Sequence, residues 1–257
     1  MNHNKGFTLA EMAVAVVILA LLLFGAMVPF STQVDLRNVA ETKRTMDSIK
    51  DAIIGFTQAN GRLPCPANGS IATGGANAGI EQASCSATPY GVIPWVTLGV
   101  PENDSWGRRF SYSVTPIFAD AVGTTFGCTP TTTPTLSSFA FCSVGTLTVN
   151  TRSDSTRALT PVGSGLTAVI ISHGKNGFGG YISNGTALPA SPGADEIANA
   201  NANHATALNF VSRTQTPSAS GCNDASTSQP YCEFDDLVVT ISSSALIARA
   251  VAAGRLP

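Results

Sequence analysis

The sequence is poor in charge and in the residues that most enzymes and metal sites use. Of its 257 residues, 12% are charged, about half the usual share for a soluble domain, and the formal net charge is -2. It has three histidines, and no two of its cysteines form a CxxC pair, so zinc-ligand spacing is absent. Its basic pairs, Lys43-Arg44 and Arg108-Arg109, are too short to indicate a nucleic-acid-binding surface.

Two common catalytic motifs are also missing. Glycines recur between residues 174 and 180, but no GxxxxGK[ST] phosphate loop is present, and no GxSxG nucleophile elbow is present. Ser172 and His173 are neighbours at the end of a predicted strand, so their side chains should point apart. His204 lies in an Asn- and Ala-rich segment and is predicted to be exposed. We therefore expect no enzymatic activity.

The strongest feature that is present is an uncharged apolar run near the N-terminus. Residues 12–30 contain no charged side chain, and a helix of that length spans about 28 Å, close to the hydrocarbon thickness of a bilayer. Lys5 precedes the run and should stay cytoplasmic. An ordinary signal peptide would need small residues around a cleavage site, and Gly25–Phe30 fits that requirement poorly. An uncleaved anchor and a processed anchor remain as alternatives.

Glu11, at the edge of the apolar run, distinguishes these two alternatives. A carboxylate costs roughly 2.5–3.5 kcal/mol at the centre of a membrane helix and less near the interface, and a plain anchor does not need one. Cleavage after Gly6 would give Phe7 a free amine four residues before Glu11, one helical turn away on the same face. In an assembly, the carboxylate of one chain can pair with the amine of its neighbour and favour one axial stagger.

The segment Gly6-Phe7-Thr8-Leu9-Ala10-Glu11, followed by an apolar run, resembles the class III leader of type IV pilins and type II secretion pseudopilins. The resemblance covers roughly the first 30 residues. It implies a leader of residues 1–6, cleavage between Gly6 and Phe7 by a prepilin peptidase, N-methylation of Phe7, and a role for Glu11 in filament assembly. Pro29 stands one residue later than the proline of many pilins, which leaves the position of a kink open.

The resemblance and the residue pattern together predict an α+β, pilin-like fold. A long N-terminal helix over residues 7–60, with residues 12–30 transmembrane, would be packed on an antiparallel β-sheet head formed by residues 61–257. Leu36, Val39, Met46, Ile49, Ile53 and Phe56 recur at helical spacing, and Asn60-Gly61 is a helix stop. In the head, strands are predicted over 92–98, 109–115, 145–150, 166–172, 178–183 and 235–242, with a hairpin joining the fourth and fifth, and a closing helix or turn over 243–253.

Six cysteines in an exported chain indicate three disulfides. Fifteen connectivities are possible. Nearest-neighbour pairing closes the smallest loops and predicts Cys65–Cys85, Cys128–Cys142 and Cys222–Cys232. Six buried thiols are the alternative.

A second, weaker resemblance concerns a metal. Asp104-Ser105-Trp106-Gly107 followed by Tyr112 resembles a stretch of the major pseudopilins, in which a glycine-rich loop and an acidic pair then hold calcium. This resemblance implies calcium candidates in the pairs Asp195-Glu196 and Asp235-Asp236. Lys175 in the glycine-rich segment is unfavourable, because a hard cation prefers oxygen ligands. The alternatives are solvated loop charges for the first pair and a strand entry for the second.

These features predict a structural subunit of a type II secretion pseudopilus or a type IV pilus. It would sit in the bacterial inner membrane as a single-pass protein with its head in the periplasm, then enter a periplasmic or extracellular filament. The expected partners are other pilin or pseudopilin subunits, the prepilin peptidase and an inner-membrane assembly platform. The alternative is a minor tip pilin whose Thr-, Ser- and Asn-rich loops, 129–137 and 184–230, make the head an adhesion or substrate-binding module.

Overall fold

The computed structural model describes residues 8–122, 135–200, 204 and 208–256, apart from the side chains of residues 23–32. The chain divides into two compact units, Met1–Glu41 and Thr42–Pro257. The predicted cleavage residues Gly6 and Phe7 lie outside the described residues, and so does Cys128.

The long helix α1 extends from Leu9 to Asn60. In the first unit, the apolar side chains described between Leu9 and Leu22 are exposed. Over the residues that the structure describes, no helix is long and apolar enough to cross a membrane. Of the predicted span 12–30, the side chains of residues 23–30 lie outside the described part.

The part of α1 in the second unit has one buried face. Thr42, Met46, Ile49, Ile53 and Thr57 are all buried, and their spacings of three and four residues place them on one side of the helix. Both threonines are absent from the predicted apolar set. Their hydroxyls are satisfied, because Thr42 accepts a hydrogen bond from the Ser105 N–H at 3.3 Å and Thr57 donates to the Ile53 carbonyl at 2.9 Å.

The second unit is a mixed, mostly antiparallel curled sheet with short helices. The strands are β1 (Tyr90–Val92), β2 (Arg108–Arg109), β3 (Ser111–Val114), β4 (Leu147–Arg152), β5 (Leu159–Ser172), β6 (Tyr181–Ile182), β7 (Asn209–Val211) and β8 (Leu237–Ser242). The other helices are α2 (Trp95–Leu98), α3 (Pro116–Ala119), α4 (Ala194–Asn199) and α5 (Ser243–Ala252).

Strand β5 is the centre of the larger sheet. The sheet order is β1-β3-β5-β4-β7, and β8 pairs with β5. Every pairing is antiparallel except that of β4 with β7. Strands β2 and β6 form a separate two-stranded sheet. Residues 166–172 of β5 are buried without interruption, as expected for a strand covered on both faces.

Two predicted strand features are wrong. The segment 92–98 is mainly helical, because Trp95–Leu98 forms α2 and only Val92 belongs to a strand. The predicted hairpin between 167–172 and 178–183 does not form, because β6 pairs with β2 whereas β5 pairs with β3, β4 and β8. The closing segment, predicted as a helix or a turn, forms the helix α5. Just beyond it, the Arg255 guanidinium donates to the carbonyls of Gln58 and Ala59 at the end of α1.

The disulfide predictions can be followed for five of the six cysteines. The structure contains the bonds Cys65–Cys85 and Cys222–Cys232. Cys142 is also disulfide-bonded. Its predicted partner, Cys128, lies outside the described residues, so that pairing stays a prediction.

Candidate functional sites

The first candidate site is the N-terminal turn of α1, where Thr8 and Glu11 form a reciprocal pair. The Glu11 Oε2 atom accepts hydrogen bonds from the Thr8 N–H and the Thr8 hydroxyl, both at 2.8 Å. The Glu11 N–H donates to the Thr8 hydroxyl oxygen at 3.3 Å. This is a capping box, which satisfies backbone donors that the first turn of a helix otherwise leaves unpaired.

The capping box gives Glu11 a partner that the sequence interpretation missed. The interpretation paired Glu11 with the amine of Phe7, which lies outside the described residues. The signal for Thr8 was present in the sequence, because a threonine three residues before a glutamate, ahead of an apolar run, is the capping-box pattern. The Glu11 carboxylate is thus held and exposed at the tip of α1.

The second candidate site begins at helix α4, whose first turn carries Asp195 and Glu196. Both residues are buried, at 1% relative exposure. Because adjacent residues of a helix do not share a face, the two carboxylates meet different neighbours. The predicted alternative of solvated loop charges is therefore wrong for both.

Asp195 belongs to a charge-balanced network. Its Oδ1 atom accepts from the Arg152 Nε at 2.6 Å, and its Oδ2 atom accepts from the Arg213 Nε at 2.7 Å. Arg213 also donates to Asp224 Oδ1 at 3.1 Å. Burial and the Asp224 carboxylate raise the pKa of Asp195, and the two guanidiniums oppose this shift. Both carboxylate oxygens of Asp195, a predicted calcium candidate, are thus bonded to arginines.

Glu196 instead meets Asp235 and Asp236, which precede β8. One carboxylate oxygen from each of the three residues lies within 4.8 Å of the others. Three buried oxygens of this group, Glu196 Oε2, Asp235 Oδ1 and Asp236 Oδ1, have no hydrogen-bond partner. Glu196 and Asp236 are 1% and 4% exposed, so solvent does not satisfy these atoms. We call these three residues the carboxylate cluster.

The remaining oxygens of the carboxylate cluster are held by uncharged donors. Asn176 donates through its side chain to Glu196 Oε1 and through its backbone N–H to Asp235 Oδ2, both at 2.9 Å. The Asn199 side chain donates to Asp236 Oδ2 at 2.8 Å. Each carboxylate therefore has one oxygen fixed by an amide and one oxygen without a hydrogen-bond partner.

The electrostatics of the carboxylate cluster are unfavourable without a cation. Burial raises the pKa of Glu196, and the Asp236 carboxylate raises it further. Burial likewise raises the pKa of Asp235 to about 7, although the hydrogen bond from the Asn176 N–H opposes the shift. Both shifts reflect the cost of placing like charges together in a poorly solvated site.

The donor set fits a hard divalent cation. Ca²⁺ prefers oxygen ligands, and three neighbouring carboxylates provide them. Glu196, Asp235 and Asp236 would hold the ion, and its charge would compensate their repulsion. Lys175, which the sequence placed near the site, is exposed. Asp236 also lines a cavity of about 650 Å³ that is open to solvent.

The neighbouring Ser111 and His173 form a serine–histidine–carboxylate arrangement with Asp236. The Ser111 hydroxyl lies 2.7 Å from His173 Nε2, and His173 Nδ1 lies 3.7 Å from Asp236 Oδ1. Ser111 and His173 have no exposed surface, so the hydroxyl cannot reach a substrate. Ser172, the chain neighbour of His173, bonds instead to Asp104 Oδ2 at 2.6 Å.

One histidine prediction is wrong. His204 is 3% exposed, with its Nδ1 atom 3.0 Å from the Ser113 hydroxyl and its ring centroid 4.6 Å from that of Phe210. Burial and the neighbouring His173 lower the pKa of His204 to about 3. The composition of the surrounding segment suggested a surface loop, but an edge contact with an aromatic ring holds the imidazole inside.

The comparisons with known proteins add one match, at the N-terminus. Residues 1–27 match the family described as the prokaryotic N-terminal methylation motif. No curated protein and no solved structure matches the chain. The match includes Gly6, Phe7, Thr8 and Glu11, and it implies a membrane-anchored prepilin that is processed by a prepilin peptidase and assembled with pilin subunits. The protein thus carries the N-terminal methylation motif that is typical of type IV pilins and type II secretion pseudopilins.

Proposed function

We propose that the protein is a structural subunit of a type II secretion pseudopilus or a type IV pilus. In this proposal the prepilin peptidase removes residues 1–6 and Phe7 is N-methylated. Residues 12–30 anchor the chain in the bacterial inner membrane, with residues 61–257 in the periplasm. An inner-membrane assembly platform then moves the subunit into the filament. The observation that supports this most is the methylation motif at residues 1–27, with Glu11 exposed at the tip of α1.

Assembly in this proposal depends on the Glu11 carboxylate. In the single chain, Thr8 is its partner. The amine of a neighbouring Phe7 would supply the positive charge that Thr8 lacks, and an ion pair in a poorly solvated environment is far stronger than one in water. A neutral capping interaction would thus be exchanged for an ion pair between subunits.

Two variants test this proposal. Gly6→Ala should block processing, seen by mass spectrometry as a chain that keeps residues 1–6. Glu11→Ala should be processed normally but reduce filament incorporation severely, measured by shearing and immunoblotting. Asp51→Ala, which removes an exposed carboxylate from the other end of α1, is the matched control. Normal filament yield from Glu11→Ala would refute the assembly mechanism.

Immunogold labelling of isolated filaments distinguishes the shaft from the tip. Label along the whole filament supports the proposed structural role. Label at one end only would instead support the alternative of a minor tip pilin with an adhesive or substrate-binding head.

We further propose that the head binds one Ca²⁺ ion at the carboxylate cluster. Two observations favour it: each of the three residues has a buried carboxylate oxygen without a hydrogen-bond partner, and one carboxylate oxygen from each lies within 4.8 Å of the others. In a protein interior such atoms are normally bonded, and a hard cation satisfies all three at once. Asp195, the fourth candidate, is excluded from the ligand set by its two arginines.

Calcium addition to chelator-treated mature protein tests this second proposal. A ligand at 100 times its Kd stabilises the folded state by about 2.7 kcal/mol, which raises Tm by roughly 5–10 °C in a domain of this size. Glu196→Gln should abolish the calcium-dependent rise. If wild-type Tm is the same in EDTA and in millimolar calcium, the cluster is not a calcium site.

A further inference from the structure

Asn176, at the edge of the carboxylate cluster, forms a turn and also donates hydrogen bonds to the cluster. Asn176 stands in the sequence His173-Gly174-Lys175-Asn176-Gly177, between β5 and β6. Its Oδ1 atom accepts from the Phe178 N–H at 3.0 Å, an ordinary Asx turn. Its two donor groups, the side-chain NH₂ and the backbone N–H, both donate to carboxylates of the cluster.

These two donors act on different carboxylates. The side-chain amide fixes Glu196 Oε1, on α4, and the backbone N–H fixes Asp235 Oδ2, before β8. The Asp235 N–H also donates to Glu196 Oε1, at 3.1 Å. The partner-free atoms are the other oxygen of each group, Glu196 Oε2 and Asp235 Oδ1. Asn176 thus bonds to one oxygen of each carboxylate, and the other oxygen of each has no hydrogen-bond partner.

The backbone around Asn176 allows this close approach. Gly174 has φ of 55°, and a Cβ atom there would overlap Asp235, in its side chain and its backbone. The Gly177 N–H closes the turn by donating to the His173 carbonyl at 2.9 Å. Residues 173–177 therefore lie close to Asp235, just before β8, and Asn176 is within hydrogen-bond distance of Asp235 and Glu196.

We propose that Asn176 is a positioning residue of the cation site: it orients Glu196 and Asp235 so that their free oxygens converge on the ion. The proposal rests on calcium binding by the carboxylate cluster. Asn176 is not itself a ligand. Its bonds to the outer oxygens hold the ligand atoms in place before the cation arrives, and loss of such outer contacts typically lowers metal affinity about 10–100-fold.

The chain contains a matched control for the turn itself. Asn184-Gly185 repeats the Asn176-Gly177 pair, and Asn184 Oδ1 accepts from the Thr186 N–H at 2.8 Å in the same Asx geometry. Asn184 is not part of the carboxylate cluster. Serine at either position retains an acceptor for the turn but is too short to reach a carboxylate in the way Asn176 does.

The experiment is calcium titration by isothermal calorimetry on the full mature chain in detergent micelles, after removal of metal with EDTA. Asn176→Ser should raise the Kd for calcium at least tenfold, whereas Asn184→Ser should leave it unchanged. Tm in EDTA should shift by similar small amounts in the two variants, which separates positioning from a general loss of stability.

The outcomes distinguish the two proposals. If the wild type binds calcium and Asn176→Ser binds equally well, the positioning role is refuted and the calcium site stands. If the wild type does not bind calcium while Glu196→Gln behaves identically, the calcium proposal fails and the role of Asn176 fails with it. Neither result affects the proposed filament role, which depends on the N-terminal turn.

Discussion

Asp195 and Glu196 are adjacent in the chain and equally buried, yet their surroundings are opposite. Asp195 meets two guanidiniums that balance its charge. Glu196 meets two further carboxylates, and its hydrogen-bond donors are uncharged. A buried charge is tolerated when it is paired, so the first site is complete in itself. The carboxylate cluster has no such balance among these groups, and in our proposal a cation would supply the counter-charge.

The largest expected effect comes from breaking the complete site. Arg213→Met removes the donor shared by Asp195, Asp224, Thr216 and the Cys232 carbonyl. Two buried carboxylates would lose a counter-charge, and removal of one partner of a buried pair typically costs about 3–5 kcal/mol. Urea unfolding in EDTA measures the loss. Calcium should not restore it, because the cation site is separate; full recovery in calcium would show that the two sites are one.

The next prediction is that neutral substitutions of Asp195 and Glu196 change the free energy of unfolding in opposite directions. Asp195→Asn weakens two charge-assisted hydrogen bonds and should cost about 2–3 kcal/mol. Glu196→Gln removes the like-charge repulsion that raises the pKa of Glu196, so it should increase the free energy of unfolding of the cation-free protein. Urea unfolding at pH 7 in EDTA compares the two. Equal destabilisation by both substitutions would mean that the cluster is not under electrostatic strain.

Local signals in the sequence predicted the parts of the molecule that are determined locally. The spacing of Met46, Ile49 and Ile53 predicted the buried face of α1, and Asn60-Gly61 marked its end. The N-terminal motif likewise needs no more than its own residues. Nearest-neighbour pairing also found Cys65–Cys85 and Cys222–Cys232, because both bonds close short loops.

Contacts between residues that are distant in the chain could not be predicted from the sequence. No local pattern distinguishes Asp195 from Glu196, because the distinction lies in Arg152, Arg213 and Asp235, which other elements supply. Strand β5 was assigned to a hairpin with the next apolar segment, whereas its partner β8 follows after an intervening stretch that contains α4 and β7. Pairing of distant strands depends on the packing of the whole sheet, and propensity does not report it.

His204 is a buried base, and it can be compared with the buried acids Asp195 and Glu196. Burial lowers its pKa to about 3, so it stays neutral in the folded state while the unfolded chain takes up a proton below pH 6.5. Its contribution to stability is therefore present above pH 6.5 and is lost as pH falls towards 3, by about 1.4 kcal/mol per pH unit.

The variant His204→Gln isolates the contribution of His204 to the pH dependence of stability. The stability difference between wild type and variant, from urea unfolding in EDTA between pH 8 and pH 5, should be constant above pH 6.5 and shift against the wild type below it. Contributions of the carboxylate cluster cancel in the difference. A difference that does not change with pH would mean that His204 is solvated in the folded state.

The smallest expected effect concerns Glu11, a carboxylate held by uncharged donors like those of the cluster, but at an exposed helix tip. Thr8→Ala removes the hydroxyl of the capping box and should cost about 1 kcal/mol of local helix stability. Amide hydrogen exchange of residues 9–12 in the mature chain in micelles measures it, with Thr8→Ser as the control that retains the hydroxyl. In the proposed filament, the Phe7 amine of a neighbouring subunit replaces Thr8 as the partner of Glu11. The faster amide exchange in Thr8→Ala should therefore disappear once subunits are assembled. Persistence of fast exchange in the filament would show that Thr8 remains its partner throughout.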